Sequence, residues 1–195
     1  MNLPLFGDED NAPEGADVAY TPRRLARAVV QALHAEIGLG LTWEPHAGGG
    51  AFVQALADEG IPWVASTLEP ADSKALSRRF GREIPARDAL LPCPWTPSAV
   101  VGNCPFSNAE AHVVAALEAV KPSLLWTVAF VLPLSFACRE KHAHLFPRRR
   151  SWGLWPINPR PTFTGPGRAS TGTAMTDVGV YVFSSAPIPA RVISW

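Results

Sequence analysis

The chain has 195 residues, 47% of them apolar, which suits one domain with a sizeable core. Seventeen Lys and Arg balance seventeen Asp and Glu, so contact with any polyanion must rest on a local basic patch and not on the overall field. Three cysteines, an odd number, form no CxxC pair, which fits free thiols in a reducing cytoplasm, and no apolar run is long and uninterrupted enough to span a bilayer.

Residues 1–18 are acidic and rich in Pro, Gly, Asn and Asp, and are expected to form a flexible tail with no signal peptide, ahead of a single domain over residues 19–195. Within the tail, Leu3, Leu5 and Phe6 are conspicuously apolar. Thr21 followed by Pro22 predicts a helix start, a capping hydroxyl and then Pro in the first turn. Leu25, Ala28, Val29, Ala32 and Leu33 recur at helical spacing, so an amphipathic helix is expected over 22–36. A strand near 40–45 should end at a glycine-rich turn, with a helix near 50–59 after it. A strand at 62–68, a helix at 72–80 and a weak strand at 82–87 follow, then a Pro-rich loop over 89–97. A short buried strand at 98–102 leads into a helix at 107–120, and the apolar run 123–132 into a helix at 135–146. Strands at 151–156 and 178–184 flank a loop over 158–177 and, with no helix between them, predict an antiparallel hairpin at one sheet edge. Strands alternating with helices predict an α/β fold, a mostly parallel sheet covered on both faces.

In such a sheet, ligands bind beyond the carboxyl ends of the strands, where Glu44, Glu69 and Asp88 are each expected to close a successive strand. Gly48-Gly49-Gly50 lets the backbone approach a ligand closely at a helix start, or serves only as a tight turn. Glu69 follows that turn by about twenty residues, the spacing at which a carboxylate meets ribose hydroxyls in dinucleotide folds. No Gly-Lys-Ser or Gly-Lys-Thr follows the glycines, so a phosphate loop is not indicated. His142 and His144 lie near Cys138 without zinc-site spacing, and no metal site is expected. Arg148, Arg149 and Arg150 form the one dense basic run, with Arg160 and Arg168 further on.

Two segments in order are more specific. Glu44-Pro45-His46-Ala47-Gly48-Gly49-Gly50-Ala51-Phe52 resembles motif I of class I adenine-N6 methyltransferases, and Asn103-Cys104-Pro105-Phe106 resembles their motif IV. Tyr20-Thr21-Pro22 is similar to the element that precedes motif I in the γ order of these enzymes. Val131-Leu132-Pro133-Leu134-Ser135-Phe136 resembles the strand and turn after motif IV, and Arg160-Pro161-Thr162-Phe163 a segment of small phage-type enzymes. The likeness covers about residues 20–184.

The resemblance implies a Rossmann-like class I methyltransferase fold with a seven-stranded sheet, and S-adenosyl-L-methionine as cofactor. Tyr20, Thr21, Pro22, Gly48 and Gly50 would contact its methionine end, Glu69 its ribose and Asp88 its adenine, with Glu44, Pro45, Ala47, Phe52 and Ala89 also in the cofactor site. Asn103 and the backbone carbonyl of Cys104 would accept from the target amine, with Pro105 stiffening the turn and Phe106 stacking on an extracted base. Cys104 stands where the family usually has Pro. The implied reaction is methyl transfer to an exocyclic amine, adenine N6 in DNA first. RNA guanine or adenine, the amide of protein glutamine, or a catalytically silent binding fold are the alternatives.

These enzymes usually carry a target-recognition domain after the last motif, and none is expected here. Phe163, Arg160 and Arg168 would contact nucleic acid, with Arg148, Arg149 and Arg150, or the 158–177 loop is a simple connector. Asn2-Leu3-Pro4-Leu5-Phe6 resembles the peptide by which bacterial replication proteins bind the sliding clamp, with Leu3, Leu5 and Phe6 as anchors, or these residues pack on their own domain. A cytoplasmic location is expected.

Overall fold

The computed structural model describes residues 20–146, 151–163 and 177–195. Arg148, Arg149, Arg150, Arg168 and the tail residues Leu3, Leu5 and Phe6 lie outside the described residues.

Helix α1 spans Arg23–Ile37, and Leu25, Val29, Leu33 and Ile37, four residues apart, form its buried stripe. Thr21 does not cap it. Pro22 is the cap residue and no side chain closes the end, because the Thr21 hydroxyl is engaged elsewhere in the fold. Strand β1 (Thr42–Glu44), helix α2 (Ala51–Asp58), strand β2 (Trp63–Ala65) and helix α3 (Pro70–Phe80) follow. The weak strand expected at 82–87 is reduced to one bridge, Thr67 to Ala86. Only Ile84 is buried in that stretch, and Pro85 has no N–H to give a ladder.

Strand β3 (Ala99–Gly102) runs through a 3-10 turn at Phe106–Asn108 into helix α4 (Ala109–Val120). Strand β4 is Thr127–Pro133 and starts later than its apolar run. Leu124 and Leu125 are 95% and 63% exposed, and β3 offers no partner beyond the pair Ala99–Thr127. The helix expected at 135–146 is instead two 3-10 turns, Leu134–Cys138 and Glu140–Leu145. The Tyr181 hydroxyl donates to the Leu134 carbonyl and accepts from Ala137 N–H, and His142 Nδ1 meets the Phe136 carbonyl at 2.7 Å. Those bonds occupy backbone groups that a continuous helix would need.

Strands β5 (Ser151–Asn158), β6 (Val178–Ser184) and β7 (Ile193–Ser194) complete a seven-stranded sheet of order β2-β1-β3-β4-β6-β5-β7. Pairs β1–β2, β1–β3, β3–β4 and β5–β7 are parallel, and β6 runs antiparallel to both β4 and β5. The expected antiparallel pair is therefore present, with β6 next to β4 and the two-residue β7 beyond β5.

Side chains alternate across the sheet as a period of two requires. Ala99, Val101, Ala129 and Val131 face α1 and α2 in one core; Val100, Val128, Phe130 and Leu132 face α4 in the other. Chain order reverses between β1 and β3, since β2 lies outside β1 on one side and β4 outside β3 on the other. A crevice outside the carboxyl ends of strands at such a reversal is where open α/β sheets bind ligands. Among the described residues no helix is long and apolar enough to cross a membrane, and no group of three or more His, Cys, Asp or Glu is placed to hold a metal ion.

Candidate active site

Glu44 is the last residue of β1 and Gly102 the last of β3, so the glycine turn and the Asn103 turn leave neighbouring strands side by side. Glu44 is 1% exposed. Its Oε1 accepts from His46 N–H at 2.8 Å, while Oε2 is buried and meets no partner among the described residues. The carboxyl fits because residue 102 is Gly: a Cβ there would lie 2.5 Å from Oε1 and 2.9 Å from Oε2. Burial pushes the Glu44 carboxyl up to about 8, against the lowering effect of the His46 hydrogen bond.

The folded value lies above the unfolded one, so Glu44 leaves stability intact below pH 4.5 and withdraws it progressively up to about pH 8. Glu44→Gln keeps the acceptor for His46 and removes the ionisation. The variant should match the wild type near pH 4.5 and exceed it by about 4 kcal/mol at pH 8. Urea unfolding at both pH values checks this, and curves that keep the same separation at both would contradict it.

Gly48 has φ 43° and Gly50 φ 79°, backbone conformations that favour glycine. A Cβ on Gly48 would touch the Tyr20 ring at 3.2 Å, and one on Gly50 would meet Leu76 Cδ2 at 2.6 Å. Arg79 of α3 braces the turn from outside: Nη1 donates to the Gly49 carbonyl at 3.3 Å and Nη2 to Gln54 Oε1 at 2.7 Å. Ala47 N–H donates to the Ser66 carbonyl at 3.0 Å, which ties the turn to the end of β2.

Asn103 Nδ2 donates to Thr21 Oγ1 at 3.1 Å. This bond joins the segment before α1 to the turn after β3, so Tyr20 on the glycines and Thr21 on Asn103 bring three separated motifs together. Cys104 is buried in the core facing α4, and Pro105 enters the turn with φ −56°. Phe106 packs edge to face on Phe163 at 6.2 Å.

A cavity of about 230 Å³ lies in the crevice, lined by Pro45, His46, Asp88, Ala89, Pro105 and His112 among others. Asp88 is exposed and its Oδ1 accepts from Leu90 N–H at 2.9 Å. Glu69 does not end a strand; it is the half-buried cap residue of α3, four residues past β2. Phe52 is a core residue of α2, 4% exposed. Arg160 pairs with Asp177 through Nε at 2.7 Å, so its charge is already answered. A larger groove of about 800 Å³ follows the outer face of α4 and meets the Asn103 turn only through Phe106, Ser107 and Asn108.

The fold also places residues for which the sequence reading had no role. His112, on α4, reaches His46 in the crevice; Arg79 and Gly102 support the turn and the carboxyl. Gly102, immediately before Asn103, was the one legible signal, since glycine at the end of a buried strand marks a close approach. Two histidines 66 residues apart carry no such signal.

The fold is the Rossmann-like methyltransferase fold. The 23S rRNA methyltransferase ErmE aligns with a TM-score of 0.61 and 21% identity, over 87% of this chain and 71% of that one. A Pyrococcus horikoshii protein assigned as an RNA methyltransferase aligns with a TM-score of 0.64 and 14% identity, over 96% of this chain and 94% of its own. The M protein of the type I restriction enzyme EcoKI aligns with a TM-score of 0.61 and 16% identity, over 90% of this chain but 45% of the M protein. No protein-family model and no curated protein sequence matches the chain.

Proposed function

We propose that this protein is an S-adenosyl-L-methionine-dependent methyltransferase acting on an exocyclic amine of a nucleic-acid base, adenine N6 in DNA first. The observation that carries the reading is the bond from Asn103 to Thr21, which links an Asn-x-Pro-Phe turn to a glycine cradle at the reversal of strand order. The residues fit the cofactor. Gly48 and Gly50 hold positive φ in a turn that a side chain would obstruct, and Glu44 Oε2 is a buried polar atom without a partner in the described residues.

Gly48, Gly50 and Tyr20 would hold the methionine end, with Glu44 beneath them, and Asp88 and Ala89 the base. The cofactor supplies an electrophilic methyl group on a sulfonium. The chain's own part is to position the amine. Its lone pair is delocalised into the ring, and two acceptors in fixed geometry, Asn103 Oδ1 and the Cys104 carbonyl, help it turn toward the methyl. Because the second acceptor is backbone, Cys104 serves in place of Pro. Phe106, steadied by Phe163, offers a ring face to a base taken out of a stack.

The names of the similar structures divide between rRNA and DNA-modifying proteins, so RNA is the second substrate to test. Calorimetric titration of S-adenosyl-L-methionine, followed by transfer of labelled methyl to single- and double-stranded DNA and to RNA, tests the reading. The expected result is binding and label on adenine N6 of DNA. Label on RNA alone moves the substrate; binding without transfer to any of them favours the silent fold. No binding by folded protein overturns the proposal.

A further inference from the structure

The crevice contains an imidazole pair that no motif called for. His46 Nε2 and His112 Nδ1 are 3.0 Å apart, with their rings edge to face at 4.5 Å. Burial, reinforced by His112, holds His46 well below the ordinary histidine range, and burial lowers His112 too, against the field of Asp88. The pair is therefore neutral near pH 7, and two neutral imidazoles in contact share one proton.

Which ring donates follows from the fourth nitrogen. His46 Nδ1 is buried and meets no partner among the described residues. If His112 donated, the His46 proton would sit on Nδ1 as a buried N–H with no acceptor, a costly orphan. If His46 donates through Nε2, Nδ1 is only a bare lone pair. The second arrangement costs less, and it leaves His112 with its own proton on Nε2. His112 lines the same cavity as Asp88, and its Nδ1 is turned back to His46.

We propose that His112 Nε2–H, held in that tautomer by His46, acts with Asp88 as a donor–acceptor pair that selects the adenine base of the cofactor. This rests on the reading above: Asp88 is the acceptor that the resemblance implies, and His112 is the new element. Adenine carries an amine beside an acceptor ring nitrogen on either of two edges, N1 or N7. Asp88 accepts from the amine, and His112 donates to the ring nitrogen. His46 is a positioning residue, because its Nε2 is turned to His112 and it acts by fixing which nitrogen of His112 carries hydrogen.

The test is the binding affinity, by calorimetry, of S-adenosyl-L-homocysteine and its 1-deaza and 7-deaza analogues. Wild type should bind one deaza analogue about tenfold more weakly than the parent, the usual cost of one lost hydrogen bond. His112→Phe should bind the parent about tenfold more weakly and no longer distinguish that analogue, while His112→Gln, which keeps an N–H donor, should recover part of both. His46→Phe should shrink the discrimination, since His112 can then present either tautomer. Equal wild-type affinity for all three compounds overturns the inference and leaves the cofactor reading standing, and that comparison needs no variant to fold. Failure of the wild type to bind the parent overturns the cofactor reading and this inference with it.

Discussion

Asn103→Ala should lower the rate of methyl transfer by about 10²–10³-fold while leaving cofactor affinity within about twofold, because one preorganised polar group in a dry site commonly contributes that much. Asn103 stands just past the end of β3 and its amide nitrogen is committed to Thr21. That bond decides which way round the amide lies, with Nδ2 toward Thr21 and the side-chain oxygen as the acceptor proposed for a target amine. Alanine removes this acceptor without touching the glycine cradle, whose contacts run to Tyr20, Leu76 and Arg79. Thr21→Val takes away the orienting partner and should lower turnover less, with Thr21→Ser restoring it. Single-turnover transfer of labelled methyl, set beside calorimetric cofactor binding, separates the two effects. An unchanged transfer rate in Asn103→Ala would remove Asn103 from the site.

Gly48→Val should weaken S-adenosyl-L-methionine binding by more than about 100-fold, as expected when a left-handed backbone position and a ligand cradle are both blocked. The φ of 43° strains any β-branched residue, and the new Cβ would press on the Tyr20 ring at 3.2 Å. Tyr20 immediately precedes Thr21, so a displaced ring also disturbs the Asn103 bond. Gly49→Ala is the control: its Cβ would sit 3.4 Å from the same ring, an ordinary contact, and φ there is not left-handed. Titration of the cofactor into both variants, with thermal melts to show that each is folded, checks the contrast. Normal binding by folded Gly48→Val would place the cofactor elsewhere.

Where the amino-acid pattern is local, it was readable. The stripe Leu25, Val29, Leu33, Ile37 announces a helix that one face of the sheet must bury. Apolar runs closed by Glu44 and Gly102 announce strands, and the glycines after the first of them announce a turn that a side chain would obstruct. Where a pattern competes with a distant partner, the local reading loses. Thr21 is a sound cap by type, but Asn103, 82 residues away, takes its hydroxyl. Residues 135–146 have helical composition, but Tyr181 and His142 hold their backbone groups in 3-10 turns. Leu124 and Leu125 extend an apolar run beyond the partner strand, and so they face solvent.

The order of the motifs, and the residue types at Glu44, Gly48, Asp88 and Asn103, were determined by the sequence alone, because turn chemistry and strand-end chemistry act over a few residues. Tertiary structure decided which of those residues meet. It set Tyr20 on the glycines, opened room at Gly102 for the Glu44 carboxyl, withdrew Phe52 into the core, and paired Arg160 with Asp177. It also brought His46 to His112, 66 residues apart, across one crevice. Burial and long-range pairing depend on how the sheet closes, and no short window of sequence carries that information.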